Sequence, residues 1–243
     1  MFTNIDRSQR MSVRKLSALV ALLSTAAPLA LIGASPGTAP TTNRTTATSL
    51  PTTPTAAPPA LVAFARAWES VTAYSATVSV FAAKGSDVQN LSFTYSFRKP
   101  SSFTVHVIDG PNAGVTLTWD GGPTVRASRG RGLFAALLKR EIPLHDPLVT
   151  TIRGASMDQL SYGAILAHTE QTPGDLTQSP GEAIAGVPTQ MLSLVPNEPA
   201  SDAGLSREVI DISTLTQLPI RIEGYEGGRL VRKIDFTDVQ PEK

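Results

Sequence analysis

Leu91-Ser92-Phe93-Thr94-Tyr95-Ser96-Phe97-Arg98 alternates apolar and polar side chains, and two further runs repeat the pattern. Phe103, Val105 and Val107 interleave with Thr104, His106 and Ile108 (the single lapse). Val115, Leu117 and Trp119 then interleave with Thr116 and Thr118. Successive side chains of a strand point to opposite faces, so each run has one apolar face and one wetted face. Lys99-Pro100-Ser101 and Asp109-Gly110-Pro111-Asn112-Ala113-Gly114 separate the runs with turn residues. The reading is an antiparallel meander whose apolar face needs a cover.

Outward from this stretch, Tyr74, Ala76, Val78 and Val80 alternate with Ser75, Thr77 and Ser79, which predicts a preceding strand turned by Lys84-Gly85-Ser86-Asp87. Before it, Leu61, Phe64, Ala65, Trp68 and Val71 fall at helical spacing behind Pro59, a residue suited to a helix entrance. A short strand is expected over 124–127. The period then changes. Residues 133–139 fit two helical turns, and Asp146-Pro147 reads as a helix start interrupted at Gly154. Ser156 with Gln159 forms a capping-box pattern opening a helix whose apolar stripe is Met157, Leu160, Ala164 and Ala167. Residues 171–186 read as a loop. Strands return over 189–195, 207–213, 218–225 and 229–236, with Glu226-Gly227-Gly228 and Thr214-Leu215-Thr216-Gln217 as reversals. No repeat of 20–50 residues is present. The order predicts an α+β fold: a large curved antiparallel sheet, an incomplete half-barrel, with helices covering its concave face.

The first segment has a different character. Arg7, Arg10, Arg14 and Lys15 precede an apolar stretch over 16–34, which reads as a secretory signal occupying residues 1–34. Ser24-Thr25-Ala26 and Ile32-Gly33-Ala34 both offer small residues for cleavage, and Met11 is an alternative start. The other reading is an uncleaved anchor, because about 20 apolar residues can span a bilayer. Residues 35–59 consist mainly of Thr, Pro, Ala and Ser and are expected to form a disordered linker, too poor in apolar surface to offset ordering entropy. Asn43-Arg44-Thr45 matches a glycosylation acceptor, a tripeptide frequent by chance. The folded domain is expected over 60–243.

Composition narrows the function. The 243 residues include no cysteine, which excludes disulfides, thiolate metal sites, cysteine nucleophiles and a lipidated cysteine anchor. Lys and Arg total 21 against 20 acidic residues; without residues 1–34 the balance is 17 to 19, a net charge of −2. No clustered basic face for nucleic acid follows, since Arg126, Arg129, Arg131, Lys139 and Arg140 are offset by Glu141 and Asp146. His106, His145 and His168 have no metal-ligand spacing between them and read as surface or capping residues. No Gly-x-Ser-x-Gly elbow is present, Ser12 to Lys15 falls inside the signal, and Gly130-Arg131-Gly132 is too short to cradle phosphate. An enzyme is not expected, nor a cofactor, nor a metal.

Several local signatures together resemble the LolA/LolB-like lipoprotein-carrier superfamily, over about 61–239. They are the opening helix leading into Val71-Thr72-Ala73-Tyr74-Ser75-Ala76, the basic-Pro corner Phe97-Arg98-Lys99-Pro100-Ser101-Ser102-Phe103, and the turn Trp119-Asp120-Gly121-Gly122-Pro123-Thr124-Val125. Leu218-Pro219-Ile220-Arg221-Ile222, followed by Tyr225, Gly227 and Phe236-Thr237-Asp238-Val239, resembles the superfamily's closing hairpin. The segment Gly110-Pro111-Asn112-Ala113-Gly114-Val115 makes the chain look most similar to an uncharacterised bacterial branch of that superfamily. The resemblance implies a periplasmic carrier or chaperone that holds acyl chains of lipids or lipoproteins between sheet and helices. The wall would comprise Phe93, Tyr95, Phe97, Phe103, Val105, Val107, Leu117, Trp119, Met157 and Leu160. The bland alternative is that these residues are plain core.

In the carriers an arginine before the corner proline helps to set the closed lid. Here that position is Lys99, with Arg98 one step earlier and of opposite strand parity. Lysine lacks the planar multidentate donor set of arginine. If a lid is controlled here, the Lys99 ammonium should reach carbonyls or a carboxylate on the helical side. A monomer is expected. The alternative function is an envelope sensor or interaction module with a protein partner, held on the inner membrane, facing the periplasm, by an uncleaved N-terminal segment.

Overall fold

The alternation over 91–119 becomes three neighbouring strands in the computed structural model, which describes residues 56–130, 140–147 and 149–243. The first six strands are β1 (Ala73–Lys84), β2 (Asp87–Arg98), β3 (Ser102–Asp109), β4 (Val115–Trp119), β5 (Thr124–Arg129) and β6 (Arg140–Pro143). Five more follow: β7 (Gly174–Pro180), β8 (Thr189–Pro196), β9 (Arg207–Ser213), β10 (Pro219–Glu226) and β11 (Arg229–Glu242). They form one eleven-stranded sheet in the order β6-β5-β4-β3-β2-β1-β11-β10-β9-β8-β7, every pair antiparallel. Two meanders therefore meet where the first strand pairs with the last, Val78 opposite Phe236 and Val80 opposite Ile234. The sheet is curved and unclosed, with β6 and β7 as its edges. The α+β half-barrel read from the sequence is the fold.

Side-chain parity fixes which face is inside. Phe93, Tyr95 and Phe97 are buried while Thr94, Ser96 and Arg98 are exposed; Phe103, Val105 and Val107 repeat the arrangement on β3. Register places Tyr95 opposite both Ala76 and Val105, and Val105 opposite Leu117, so one apolar face runs across four strands. Among the described residues two α-helices, α1 (Pro59–Ser70) and α2 (Tyr162–Gln171), accompany it, with 3-10 turns at Met157–Leu160 and Pro199–Asp202. α1 begins on Pro59 as expected and turns Leu61 and Phe64 inward. Among the described residues no helix is long and apolar enough to cross a membrane.

Four sequence expectations need correction. No helix starts at Asp146: the Val149 amide donates back to the Asp146 carbonyl. Thr150 then bridges to Ser156 around Gly154, whose φ of +84° favours glycine. The capping box at Ser156 and Gln159 is real, but it opens only a 3-10 turn. Ser161, extended at ψ 141°, breaks the run and recaps α2 by accepting a bond from the Ala164 amide. That break rotates the stripe, so α2 buries Tyr162, Ile165 and Thr169 instead of Ala164 and Ala167. Finally, residues 174–180 are the edge strand β7, not loop, and 140–143 are the opposite edge, β6. Both edges are largely exposed and lack the alternation that one buried face imposes. The signal (1–34), the linker as far as residue 55 and the helix expected over 133–139 lie outside the described residues.

Candidate functional site

The expected wall residues come together. Phe93, Tyr95, Phe97, Phe103, Val105, Val107, Leu117, Met157 and Leu160 are buried in one apolar cluster, with Trp119 packed against it. The cover is built from Leu61 and Phe64 of α1, from Leu144 and Val149 ahead of the 3-10 turn, and from Tyr162 and Ile165 of α2. Aromatic rings join cover to sheet: Tyr162 stacks on Tyr74 at 4.4 Å, and Trp68 lies 5.8 Å from Phe97. Gly163 lets the helices approach, since a Cβ there would stand 3.1 Å from the Trp68 indole. Beside Phe93, Met157 and Leu160 the space left is about 20 Å³, room for about one water and not for an acyl chain. The face is closed and filled in this state.

Polar groups of the sheet fasten the cover by its backbone. The Tyr74 hydroxyl donates to the Leu160 carbonyl at 3.4 Å and that of Tyr95 to the Met157 carbonyl at 3.2 Å. Burial pushes both phenols well above the usual range. The Gln89 side-chain oxygen accepts from the Ile152 amide, and that of Gln178 from the Ala60 amide at the start of α1. At the other end of α1, the Lys99 ammonium donates to the Trp68 carbonyl at 2.5 Å and to the Glu69 carbonyl at 3.4 Å. It lies 4.1 Å from the centre of a Trp68 ring, a cation–π contact. Both carbonyls belong to the last turn of the helix, that of Trp68 also accepting from the Val71 amide, and the macrodipole favours a cation there. Partial desolvation lowers the Lys99 pKa, with Glu69 opposing. Arg98 points away, as parity requires: its side chain is 68% exposed and lies 3.6 Å from Glu242.

A second site went unread in the sequence. Between α2, the 3-10 turn 199–202 and strands β9 to β11 lies a cavity of about 380 Å³ containing His168, Asp202, Glu208, Arg153 and Arg232. Glu208 is 2% exposed and Asp202 3%. Arg232 pairs with Glu208 and Arg153 with Glu226, while Arg153 also donates to the Ala83 and Ala203 carbonyls. His168 Nε2 lies 3.3 Å from Asp202 Oδ1 and 3.6 Å from Glu208 Oε1. Asp202 holds the His168 pKa above its ordinary value, against the effect of burial; desolvation raises that of Glu208, against Arg232. His168 is thus half-buried in a charged cluster, not a surface or capping residue. One signal was available: Glu208 shares parity with the inward Ile210 and Ile212, and Arg232 with Ile234 and Phe236, so both are charges at inward positions.

On the other parity of β9, Asp211 stands opposite Arg221, which also pairs with Asp235 at 2.5 Å. Burial first, and the charge of Glu223 second, push the Asp211 carboxyl up to about 6. A carboxyl with a raised folded pKa costs nothing below its unfolded value near 4 and destabilises progressively as pH rises through about 6. Asp211→Asn should therefore stabilise the domain by about 1–2 kcal/mol at pH 8, less than two full pKa units because the group keeps some water. Urea denaturation at pH 4 and pH 8 checks this; the gain should vanish at the lower pH.

No family model and no curated protein matches the chain. Solved structures to which it is similar include a LolA superfamily protein from Nitrosomonas europaea (13% identity, 77% of this chain and 95% of that one, TM-score 0.34). The lipoprotein LppX of Mycobacterium tuberculosis is 14% identical over 77% of this chain and 96% of that one, with a TM-score of 0.38. In the Pseudomonas aeruginosa MucA/MucB complex the matched chain is 14% identical, covering 76% of this chain and 57% of that one, with a TM-score of 0.39. All three likenesses are distant, and the LolA superfamily, which the motifs of this sequence resemble, is among them.

Proposed function

We propose that this is an exported domain that carries an acyl chain, of a lipid or a lipidated protein, between its curved sheet and a movable cover of α1, the 3-10 turn and α2. The observation that supports the reading most is how the cover is attached. A broad aromatic and aliphatic face lies beneath it, yet Tyr74, Tyr95 and Lys99 hold it by bonds to its backbone carbonyls. Such bonds exchange for water at a net cost of about 0.5–1.5 kcal/mol each, whereas an acyl chain entering beneath gains about 0.8 kcal/mol per buried methylene. A chain of a dozen methylenes gains about 10 kcal/mol, which works against the apolar exposure that opening brings. No catalytic group is needed. Export accords with the basic-then-apolar order of residues 1–34 and the Thr/Pro/Ala-rich run behind it. N-terminal sequencing of the natively expressed protein should then find a start between Ala26 and Ala34.

Native mass spectrometry of the purified chain, followed by lipid extraction, should find a co-purified acylated molecule. Lys99→Leu should speed release of a fluorescent fatty acid about three- to tenfold, the equivalent of about 1 kcal/mol of lost latch, with little change in stability. Arg98→Leu, exposed and facing away, should release at the wild-type rate. An empty protein that also takes up no fatty acid would overturn the reading. Equal rates in the two variants would remove Lys99 from the latch.

A further inference from the structure

His168, Asp202 and Glu208 come from three separate elements, α2, the 3-10 turn 199–202 and β9, and converge inside the cavity beneath α2. One ligand-capable atom from each lies within 4.8 Å of the other two. The separations from His168 Nε2, 3.3 Å and 3.6 Å, match the edge of about 3.4 Å of a tetrahedron whose corners stand about 2.1 Å from its centre. We propose that these three side chains bind a divalent transition-metal ion of the zinc class, leaving its remaining coordination position open to the cavity. This inference stands independently of acyl carriage.

Four further observations bear on it. Asp202 Oδ2 is buried and has no hydrogen-bond partner, although Asp202 is 3% exposed and a buried carboxylate oxygen ordinarily finds one, and the buried His168 Nε2 faces the carboxylates of Asp202 and Glu208. His168 Nδ1 lies 3.3 Å from the Thr172 hydroxyl; in the tautomer in which Nδ1–H donates to that hydroxyl, Nε2 keeps its lone pair, and the contact is an outer one of the kind that orients a ligating imidazole. Arg232 occupies one oxygen of Glu208 and fixes the carboxylate with the other turned toward His168. With a neutral imidazole, Asp202, Glu208 and Arg232 carry a net charge of −1, which favours a cation. One nitrogen and two oxygen donors suit zinc better than calcium or magnesium, which prefer all-oxygen cages.

The test uses the full chain, stripped with chelator and titrated with zinc by calorimetry, then with cobalt, whose visible absorption reports tetrahedral geometry. One equivalent should bind and raise the melting temperature. His168→Gln should weaken zinc binding by about a hundredfold and abolish the cobalt band, since loss of an outer partner alone costs about 10- to 100-fold. His168 is partly exposed, so this variant should fold; Asp202→Asn repeats the test from the other side. His106→Ala and His145→Ala, outside the cluster, should bind as wild type. Absence of binding, or wild-type affinity in His168→Gln, would overturn the site and leave His168 an ion-pair partner of Asp202 and Glu208.

Discussion

Arg232→Met should cost the domain about 3–5 kcal/mol of stability at pH 7, because it strands a carboxylate inside the half-barrel. Glu208 is 2% exposed, and Arg232 is the strongest of the charges that oppose the effect of its burial. Without the guanidinium, Glu208 either stays ionised beside Asp202 or takes up a proton. Its folded pKa is already above the ordinary value, so the penalty exists above the unfolded value near 4 and shrinks as pH falls toward it. The deficit of Arg232→Met against wild type should thus be largest at pH 7–8 and smallest near pH 4.5. Met also removes the buried Nε of Arg232, which has no partner, so the loss reflects Glu208 and not the arginine's own burial. The double variant Arg232→Met/Glu208→Gln should recover most of the stability at pH 7, and a double-mutant cycle in urea reads the coupling. A single variant within 1 kcal/mol of wild type would mean that Glu208 reaches water by another route.

The parts of the fold that were legible are those where one buried face imposes a period. Phe93, Tyr95 and Phe97 announced β2 because each must turn inward, and Ile234 and Phe236 did the same for β11. The edge strands left no such mark. In β7 only Leu176 among the larger apolar residues turns toward the core, so pairing with β8 decides its conformation. The segment 144–161 was misread for a related reason. Leu144, Val149, Met157 and Leu160 are buried one at a time as the chain crosses the concave face, and their spacing follows that path instead of a helical period. The wall residues could be named because they share strand parity. The cluster of His168, Asp202 and Glu208 could not, since residues 34 and 40 positions beyond the histidine meet it only through the return of β9 beside β10.

Lys99 shows what a motif adds to parity. Parity separates it from Arg98, and the resemblance to the carriers' corner directs it toward the helices. The bond to the end of α1 needs both, together with a helix that stops at Ser70 and leaves the Trp68 and Glu69 carbonyls within reach. A lysine can make these bonds where an arginine's fork is not required, because the acceptors are separate carbonyls and not one carboxylate.

Leu117→Arg tests whether the face beneath the cover is packed core or a space that ligand shares with solvent. Leu117 is 4% exposed, lies opposite Val105 and Ala127 in the register, and belongs to the same buried cluster as Met157 and Leu160. An arginine there loses the leucine's burial of about 1.5–3 kcal/mol and places an unpaired cation among apolar groups. The expected loss is about 4–5 kcal/mol or more, seen as a lowered urea midpoint, with fatty-acid binding abolished. Leu117→Met, which conserves volume, should stay within about 1.5 kcal/mol of wild type and keep binding, so the arginine's effect is one of charge and shape at that position. If Leu117→Arg instead folds with wild-type stability, its guanidinium has found water, and the closed face opens readily in solution. Fatty acid still bound by that folded variant would place the acyl chain elsewhere than against β4, with the 380 Å³ cavity under α2 as the next place to look.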